Sequence, residues 1–332
     1  MASKGNKIKI GVLGCADIAK RSFIPAIKEL ETLFDLVAVS SRTIKKANEL
    51  ALEFNCKAIE GYEELINLPD LDAIYIPLPT GLHKEWINKA LSNGLHVYSE
   101  KSISMSTFDS EVMINNASSN SLALMEGYMF LYHNQHKIVK GLIHKGKIGH
   151  IRFFQSSFGF PPLKQNNFRY NLDIGGGALI DIAGYPLRAA HFILNKNLRV
   201  RAASVHFDPI SKTSIWGSAF LSDKSGLGAS IAFGFDNYYQ CNYEIWGSKG
   251  KIIVKKAFTP LSDFTPEIIL VKDDQNTKIQ SKAENHFTKA LEEFHRIISN
   301  PSLREKHFQG ILLQSSSQEL IRNMALGTFQ EY

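Results

Sequence analysis

Strand-like and helix-like patterns alternate along residues 7–126, and this alternation constrains the fold more than any other feature of the chain. Short apolar runs such as KIKIGVL, DLVAVS and LDAIYIPLP have the length of strands, and stretches with helical periodicity lie between them. Such alternation is typical of a parallel sheet with helices on both faces. We therefore predict a doubly wound α/β domain over residues 1–126.

The pattern changes after about residue 150 to successive strands separated by turn signals. IRFFQSSFGF, RVRAASVHFD, SIWGSAFLS, GASIAFGF, YQCNYEIWG and GKIIVKKAF alternate apolar and polar residues, as an antiparallel sheet with one covered face does. KDDQNTKIQSKAEN indicates a hairpin and loop, and helices are predicted near 284–298 and 309–327. We predict a second, α+β domain over residues 127–332 with a large, mostly antiparallel open sheet, and expect its last helix to pack against the first domain.

Composition narrows the class of protein. The net charge is +6, but lysines and arginines are scattered among acidic residues, unlike a nucleic-acid-binding surface. No run of about eighteen apolar residues predicts a membrane span, and MASKGNKIKI lacks the apolar segment of a signal peptide. The three cysteines have no metal-type spacing, and no cysteine or carboxylate cluster accompanies the histidines of 133–150. We expect a cytoplasmic protein that binds no metal, nucleic acid or membrane.

The first predicted strand runs into GCADIA, which places Gly14, Ala16 and Ala19 at the glycine positions of the dinucleotide-binding pattern G-x-G-x-x-G. A methyl group is the smallest addition to the second and third positions. Because the motif follows a strand and opens a helix, it predicts the cofactor turn of a Rossmann domain, formed by Gly14, Cys15, Ala16, Asp17 and Ile18. A turn of small residues that serves packing alone is the alternative.

The second predicted strand ends in Ser40, Ser41 and Arg42 and offers no carboxylate. NAD sites place an acidic residue there for the ribose hydroxyls, whereas a guanidinium pairs with a phosphate through two hydrogen bonds. This end of the strand therefore predicts NADP(H) in preference to NAD(H). The alternative is a solvated arginine in a loop.

These motifs resemble those of the glucose–fructose oxidoreductase/inositol dehydrogenase (Gfo/Idh/MocA) family. The resemblance covers nearly the whole chain and lies in GVLGCADIA, PLPTGLH at 77–83, EKS at 100–102, GGGALIDIAGYPL at 175–187 and YEIWGSKGKIIV at 243–254. Ser102 stands where the family usually has proline, and Tyr185 where many members have histidine. A tyrosine at this position resembles the branch of sugar 3-ketoreductases that act on nucleotide-linked deoxysugars. It also resembles some dihydrodiol and aldose dehydrogenases.

The resemblance implies an NADPH-dependent oxidoreductase that acts on CH–OH or C=O groups and transfers a hydride to the ketone of a nucleotide-linked keto-deoxysugar. An NADP-dependent dehydrogenase of a free sugar, an inositol or a dihydrodiol is one alternative. A non-catalytic, dinucleotide-binding sensor is another. Some family members pair through the face of the C-terminal sheet, so we expect a homodimer or homotetramer formed by the strands at 200–256.

Lys101 and Tyr185 are the candidate catalytic pair. A tyrosine hydroxyl can donate a proton to the developing alkoxide if a nearby cation lowers its pKa from about 10. A lysine ammonium can do this and can also stabilise the oxyanion. Lys101 follows a strand end, where open α/β sheets bind ligands, and we expect it to meet Tyr185 in a cleft between the domains.

The resemblance places the backbone around Pro79 and Thr80 beside the nicotinamide, together with Glu100 and Lys101. His83 is interpreted as a further cofactor contact, and a histidine that merely begins a helix is the alternative.

Substrate-binding candidates precede and follow the glycine run. Asp181 lies four residues before Tyr185 and is expected to orient a substrate hydroxyl or to cap the helix. Phe168 is a candidate to stack on a nucleotide base and Arg169 to bind its phosphates. A hydrophobic lid with one exposed arginine is the alternative.

Overall fold

The computed structural model describes residues 7–327, and the chain divides into two compact units. The first unit extends to Gly127 and includes Phe287–Leu312. The second comprises Tyr128–His286 and the chain from Leu313 onward. The predicted division of roles, with dinucleotide binding over 1–126 and substrate binding and oligomerisation over 127–332, stays a prediction.

The sheet of the first unit confirms the predicted fold class. Its strands are β1 (Ile8–Leu13), β2 (Phe34–Ser41), β3 (Lys57–Glu60), β4 (Ala73–Ile76), β5 (His96–Ser99) and β6 (Leu124–Glu126). Within the described residues they form a six-stranded parallel sheet in the order β3-β2-β1-β4-β5-β6. This is the strand order of the doubly wound dinucleotide-binding fold, in which the chain reverses direction between β1 and β4.

Helices connect these strands: α1 (Ile24–Glu29), α2 (Ile44–Phe54), α3 (Tyr62–Ile66), α4 (Thr80–Ser92) and α5 (Thr107–Ser119). A π-helical turn at Ala19–Phe23 precedes α1, and Pro25 stands at the start of α1 as the sequence suggests. The end of α4 is set by Gly94, whose φ of +80° lets the amides of Gly94 and Leu95 bond back to Leu91 and Ala90. The short β3 and α3 were not predicted.

The sheet of the second unit is mostly antiparallel, as predicted. Its strands are β7 (Ile151–Gly159), β8 (Arg199–Phe207), β9 (Ser214–Ser222), β10 (Gly228–Gly234), β11 (Gln240–Gly247), β12 (Gly250–Val254), β13 (Glu267–Lys272) and β14 (Gln275–Gln280). In the described part of the chain the eight strands follow the order β14-β13-β12-β11-β7-β10-β9-β8, with β7 and β10 as the parallel pair. Asp273 and Asp274, both with positive φ, turn the predicted hairpin between β13 and β14.

The remaining helices are α6 (Asn134–His144), α7 (Ala178–Asp181), α8 (Gly184–Leu194), α9 (His286–Ser299) and α10 (Arg304–Ala325). The nearly all-buried α8 packs on β7 and β10 and covers one face of the second sheet. In the first unit, Phe294 of α9 contacts Tyr98, and Phe308 of α10 joins the core. Among residues 7–327, no helix combines the length and apolar character needed to cross a membrane.

Candidate functional site

A cavity of about 400 Å³ opens in the first unit where β1, β2 and β4 end. This is the edge at which open α/β sheets bind ligands. The sequence-predicted residues that line it are Gly14, Cys15, Ala16, Ser41, Arg42 and Pro79. Sequence reasoning missed five further lining residues, namely Thr43, Lys46, Tyr62, Pro77 and Leu78.

The turn after β1 has the geometry that the motif predicts. Gly14 has a φ of +117°, and a Cβ atom added there would lie 3.0 Å from the Leu78 side chain. The Gly14 amide donates to Ser40 O at 3.0 Å, which ties the turn to the end of β2. Ala16 O accepts from the amides of Ala19 and Lys20 at 3.0 and 3.2 Å as the helical segment begins. A side chain at Gly14 would both strain the backbone and narrow the cavity.

Two cations and a helix N-terminus give the cavity an anion-binding end. Arg42 and Lys46 line it together with Thr43, the extended residue that precedes α2. The dipole of a helix N-terminus favours a phosphate, and a guanidinium adds paired donors. The described lining residues include no carboxylate. Glu60 lies outside the lining and accepts from the Ile44 amide at 3.2 Å.

An aromatic wall adjoins the cations. Tyr62 lines the cavity, and its ring meets the edge of Trp86 at a centroid distance of 5.1 Å. Burial raises the pKa of Tyr62, and the charge of Arg42 opposes that shift. Tyr62 therefore presents a neutral ring beside a cation, which is a surface suited to a planar base.

Other predicted cofactor residues lie outside this lining. Ser40 is fully buried, and its hydroxyl oxygen has no hydrogen-bond partner in the described part of the chain. Asp17 and Ile18 are also absent from the lining, as are Thr80, His83, Glu100 and Lys101. Direct contacts from these residues stay predictions. Cys15 does line the cavity, and burial raises the pKa of its thiol.

The loop after β5 holds Glu100 and Lys101 in a defined arrangement. Tyr75 on β4 donates its hydroxyl to Glu100 Oε1 at 2.7 Å, and the Ile103 amide donates to Glu126 Oε1 at 2.9 Å. Lys101 is half-buried, and the peptide bond between Lys101 and Ser102 is cis.

His83 lies in the first turn of α4 with its ring fully buried. Its Nδ1 is 2.8 Å from Ser102 O and its Nε2 is 2.7 Å from Leu78 O. A carbonyl oxygen only accepts, so both contacts are hydrogen bonds at once only if both ring nitrogens carry hydrogen. Burial lowers the pKa of His83 to about 4 and the carbonyls oppose that shift, so at neutral pH the ring is neutral and carries one hydrogen.

In the second unit, Tyr185 lies at the start of α8, 6% exposed, within a group of aromatic rings. Phe158 and Tyr128 meet its ring edge-on, with centroids at 5.0 and 5.5 Å, and Phe130 and Phe258 lie within 6 Å. These contacts fix the plane of the ring.

The structure corrects the expected relation between Asp181 and Tyr185. They do not share one helix, because α7 ends at Asp181 and α8 begins at Gly184. The capping role expected of Asp181 stays a prediction. Asp181 Oδ2 accepts from Arg169 Nε at 2.5 Å, so the residue predicted to bind phosphates is paired with the one predicted to orient a hydroxyl.

The glycine run shapes the loop that carries this ion pair. A Cβ atom on Gly176 would lie 2.6 Å from Arg169 O, and the Gly177 amide donates to the same oxygen at 2.8 Å. Phe168 is 46% exposed, and the Arg169 guanidinium lies 4.7 Å from the centroid of its ring. Arg169 is thus held between a carboxylate and an aromatic ring, and Phe168 is open to solvent.

Two buried glutamines of α10 hold the junction between α7 and α8. Gln314 Nε2 donates to Gly184 O at 3.0 Å, and Gln318 Nε2 donates to Leu179 O at 2.9 Å. Gln314 Nε2 also lies 3.3 Å from the hydroxyl of Tyr128. Gln318 thereby satisfies a carbonyl group that a continuous helix would satisfy itself, and Gln314 ties the first turn of α8 to α10.

His133 and His136, at the start of α6, belong to the core, whereas His144 at its end is exposed. His136 is 1% exposed, with Nδ1 at 2.8 Å from Tyr243 Oη and Nε2 at 3.0 Å from Ala257 O. The Nδ1 of His133 accepts from the Gln135 amide at the start of α6. Over residues 7–327, no group of three or more histidine, cysteine, aspartate or glutamate side chains is placed to hold a metal ion.

A doubly wound sheet with a cationic cavity at its reversal point is typical of a dinucleotide-binding domain, and here a large mixed sheet follows it. Comparison with known families agrees. Residues 8–128 match the oxidoreductase family with an NAD-binding Rossmann fold, and residues 136–253 match the GFO/IDH/MocA C-terminal domain. The chain belongs to the Gfo/Idh/MocA family of oxidoreductases.

Several of the similar proteins are named as dTDP-sugar 3-reductases. The chain is 40% identical to dTDP-3,4-didehydro-2,6-dideoxy-alpha-D-glucose 3-reductase of Saccharopolyspora spinosa over 88% of this chain and 87% of that protein. It is 35% identical to the reductase of the same name from Actinomadura kijaniata over 97% of both. The crystal structure of a 3-ketoreductase from Actinomadura kijaniata with NADP and TDP-benzene superimposes with a TM-score of 0.92 at 36% identity, covering 96% of this chain and 98% of that one.

Proposed function

We propose that this chain reduces the 3-keto group of a dTDP-linked keto-deoxysugar with NADPH. The observation that carries the proposal is the 40% identity to a dTDP-3,4-didehydro-2,6-dideoxy-alpha-D-glucose 3-reductase over 88% of the chain. The Actinomadura kijaniata ketoreductase, whose structures contain NADP and TDP-benzene, has been crystallised with a tyrosine replaced by phenylalanine and with a lysine replaced by alanine. Those are the residue types of the predicted catalytic pair.

The cavity of the first unit fits the adenosine end of NADPH. Arg42, Lys46 and the N-terminus of α2 supply the charges that a 2′-phosphate needs, and the lining offers no carboxylate to bind the 2′-hydroxyl of NAD. The Gly14 turn lets the backbone approach the pyrophosphate. When bound, NADPH supplies the hydride.

Lys101 and Tyr185 have different roles in the reduction of the ketone. Tyr185 donates a proton to the developing alkoxide, and the ammonium of Lys101 stabilises that oxyanion. Asp181 and Arg169 act as a pair: the carboxylate orients a substrate hydroxyl and holds the guanidinium for the diphosphate. Phe168 offers an exposed ring for the nucleotide base. We place the reaction in the cytoplasm.

We also propose that the chain forms a dimer or tetramer in which a second copy covers the open face of the second sheet. Trp216 and Phe220 of β9 and Trp246 of β11 are 45%, 41% and 51% exposed there, and Trp246 contacts Phe153. Large exposed apolar patches mark interaction surfaces. Light scattering at micromolar concentration distinguishes the dimer or tetramer from a monomer.

Measurements of substrate turnover and of ligand binding together test the proposed activity. Oxidation of NADPH is followed with the dTDP-linked 3-keto sugar and with free aldoses, inositols and diols. We expect turnover with the nucleotide sugar, and thermal stabilisation of the NADPH-bound protein by dTDP more than by UDP, GDP or CDP. Turnover of free sugars or polyols alone would move the substrate to the small-carbohydrate dehydrogenases.

Variants test the site. Lys101→Ala and Tyr185→Phe should each lower kcat by about 10²–10⁴-fold and leave NADPH affinity unchanged. Tyr238→Phe, at a tyrosine that is 88% exposed, is the matched control and should behave as wild type. Binding of NADPH without turnover of any substrate would favour a sensor.

A further inference from the structure

One imidazole ring lies between two loops of the first unit. β4 and β5 are adjacent parallel strands, with Ile76 opposite Ser99, so the segments that follow them leave the same edge of the sheet. The ring of His83, fully buried, is 2.7 Å from Leu78 O in the first segment and 2.8 Å from Ser102 O in the second.

Each of these loops carries a different part of the site. Leu78 lines the 400 Å³ cavity, and its side chain is what a Cβ atom on Gly14 would meet. Ser102 follows Lys101 directly, is 1% exposed, and offers its carbonyl to the ring. The two carbonyls that His83 contacts therefore belong to the wall of the cofactor cavity and to the backbone beside the lysine.

We propose that His83 is a positioning residue that couples these two loops, so that the cofactor wall and the backbone of Lys101 keep a fixed spacing. It acts through the carbonyls of Leu78 and Ser102 rather than by touching cofactor or substrate, since its ring is buried and both nitrogens face the backbone. The inference rests on the proposed function, because it assigns the loops to NADPH binding and to Lys101.

The chemistry of the ring suits this role. A neutral imidazole donates its one hydrogen to one of the two carbonyls, and the ring itself fills the space between the two loops. A shift of about 1 Å in a catalytic group can lower a rate about 10²-fold, which makes the spacing of the loops consequential. A phenylalanine would fill the same space and hold neither carbonyl.

Conservative variants separate the two contacts. The amide nitrogen of asparagine occupies nearly the position of Nδ1, and that of glutamine nearly the position of Nε2. His83→Asn therefore keeps a donor for Ser102 O, and we expect kcat close to that of wild type with NADPH affinity about tenfold weaker. His83→Gln keeps the donor for Leu78 O, and we expect NADPH affinity close to that of wild type with kcat about 10²-fold lower. His83→Phe should lose both.

A histidine at the opposite end of β5 gives a matched control. His96 Nδ1 accepts from the Ala123 amide at 2.9 Å, so His96→Asn makes the same change of ring to amide away from the cavity. It should lower the melting temperature without altering kcat or the dissociation constant of NADPH. Equal losses of affinity and kcat in the Asn and Gln variants, or wild-type behaviour of both, would overturn the coupling. NADPH affinity is measured by direct binding. The affinity measurement therefore tests the role of His83 even if the wild-type protein does not turn over the nucleotide sugar.

Discussion

Arg42 is the residue on which the choice of cofactor depends. It lies at the carboxyl end of β2 and lines the cavity with Lys46, and the described lining residues of that cavity include no carboxylate. Arg42→Ala should weaken NADPH binding by about 10–100-fold, because a charge-assisted hydrogen bond contributes about 1.5–3 kcal/mol. NADH binding should change little, since NADH lacks the 2′-phosphate. Fluorescence titration of both cofactors measures the ratio.

Lys45 provides the control for that prediction. It is exposed, lies beside Lys46 on α2, and is absent from the cavity lining. Lys45→Ala changes the net charge by the same amount and should leave the ratio of the two affinities unchanged. A parallel loss of NADH affinity in the Arg42 variant would mean that Arg42 does not contact the 2′-phosphate.

At the same scale, the sequence predicts some site residues and not others. Gly14 and Arg42 stand at fixed places in a motif, directly after strands, and their positions follow from local pattern. Lys46 could also have been predicted from the sequence. It lies four residues after Arg42, in the first turn of α2. The pairing of Arg169 with Asp181 carried none, because it depends on how the intervening glycine loop folds back.

At the scale of elements, regular patterns predicted the strands and most helices, and the failures occur where distant residues decide. The segment from Ala178 to Leu194 has continuous apolar character, yet it breaks after Asp181. Gln318 satisfies a carbonyl at the break and Gln314 holds the first residue of α8, both from more than a hundred residues further along the chain. Gly184 and Pro186 are local signals that a new helix begins there, but the local sequence does not contain these distant contacts.

The open face of the second sheet carries a prediction about assembly. Burying a large apolar side chain contributes about 1.5–3 kcal/mol, so Trp216→Lys or Trp246→Lys should weaken a dimer by at least about tenfold. Ile210→Lys is the control, because Ile210 is 90% exposed between β8 and β9 rather than within a strand. Light scattering across a dilution series reports the shift. A wild-type protein that is monomeric at micromolar concentration contradicts the proposed interface.

At the scale of the whole molecule, buried histidines tie stability to pH. Burial lowers the pKa values of five histidines from 6.5 to about 3 or about 4, and this group comprises His83, His96, His136, His191 and His286. Their folded-state pKa values lie below those of the unfolded chain, so the unfolded chain binds more protons at mildly acidic pH. The stability they contribute is complete above about pH 6.5 and is lost as pH falls toward their folded pKa values.

The size of this loss follows from proton linkage. At about pH 5 each such histidine lowers the free energy of unfolding by about 2 kcal/mol, and five together approach the whole stability of an ordinary domain. Urea unfolding between pH 8 and pH 5 should therefore show a proton uptake on unfolding that grows as pH falls through about 6.5 and approaches about five protons near pH 5. His191→Gln should reduce that uptake by about one. An unfolding free energy that stays constant from pH 7 to pH 5 would show that these rings accept protons without leaving the core.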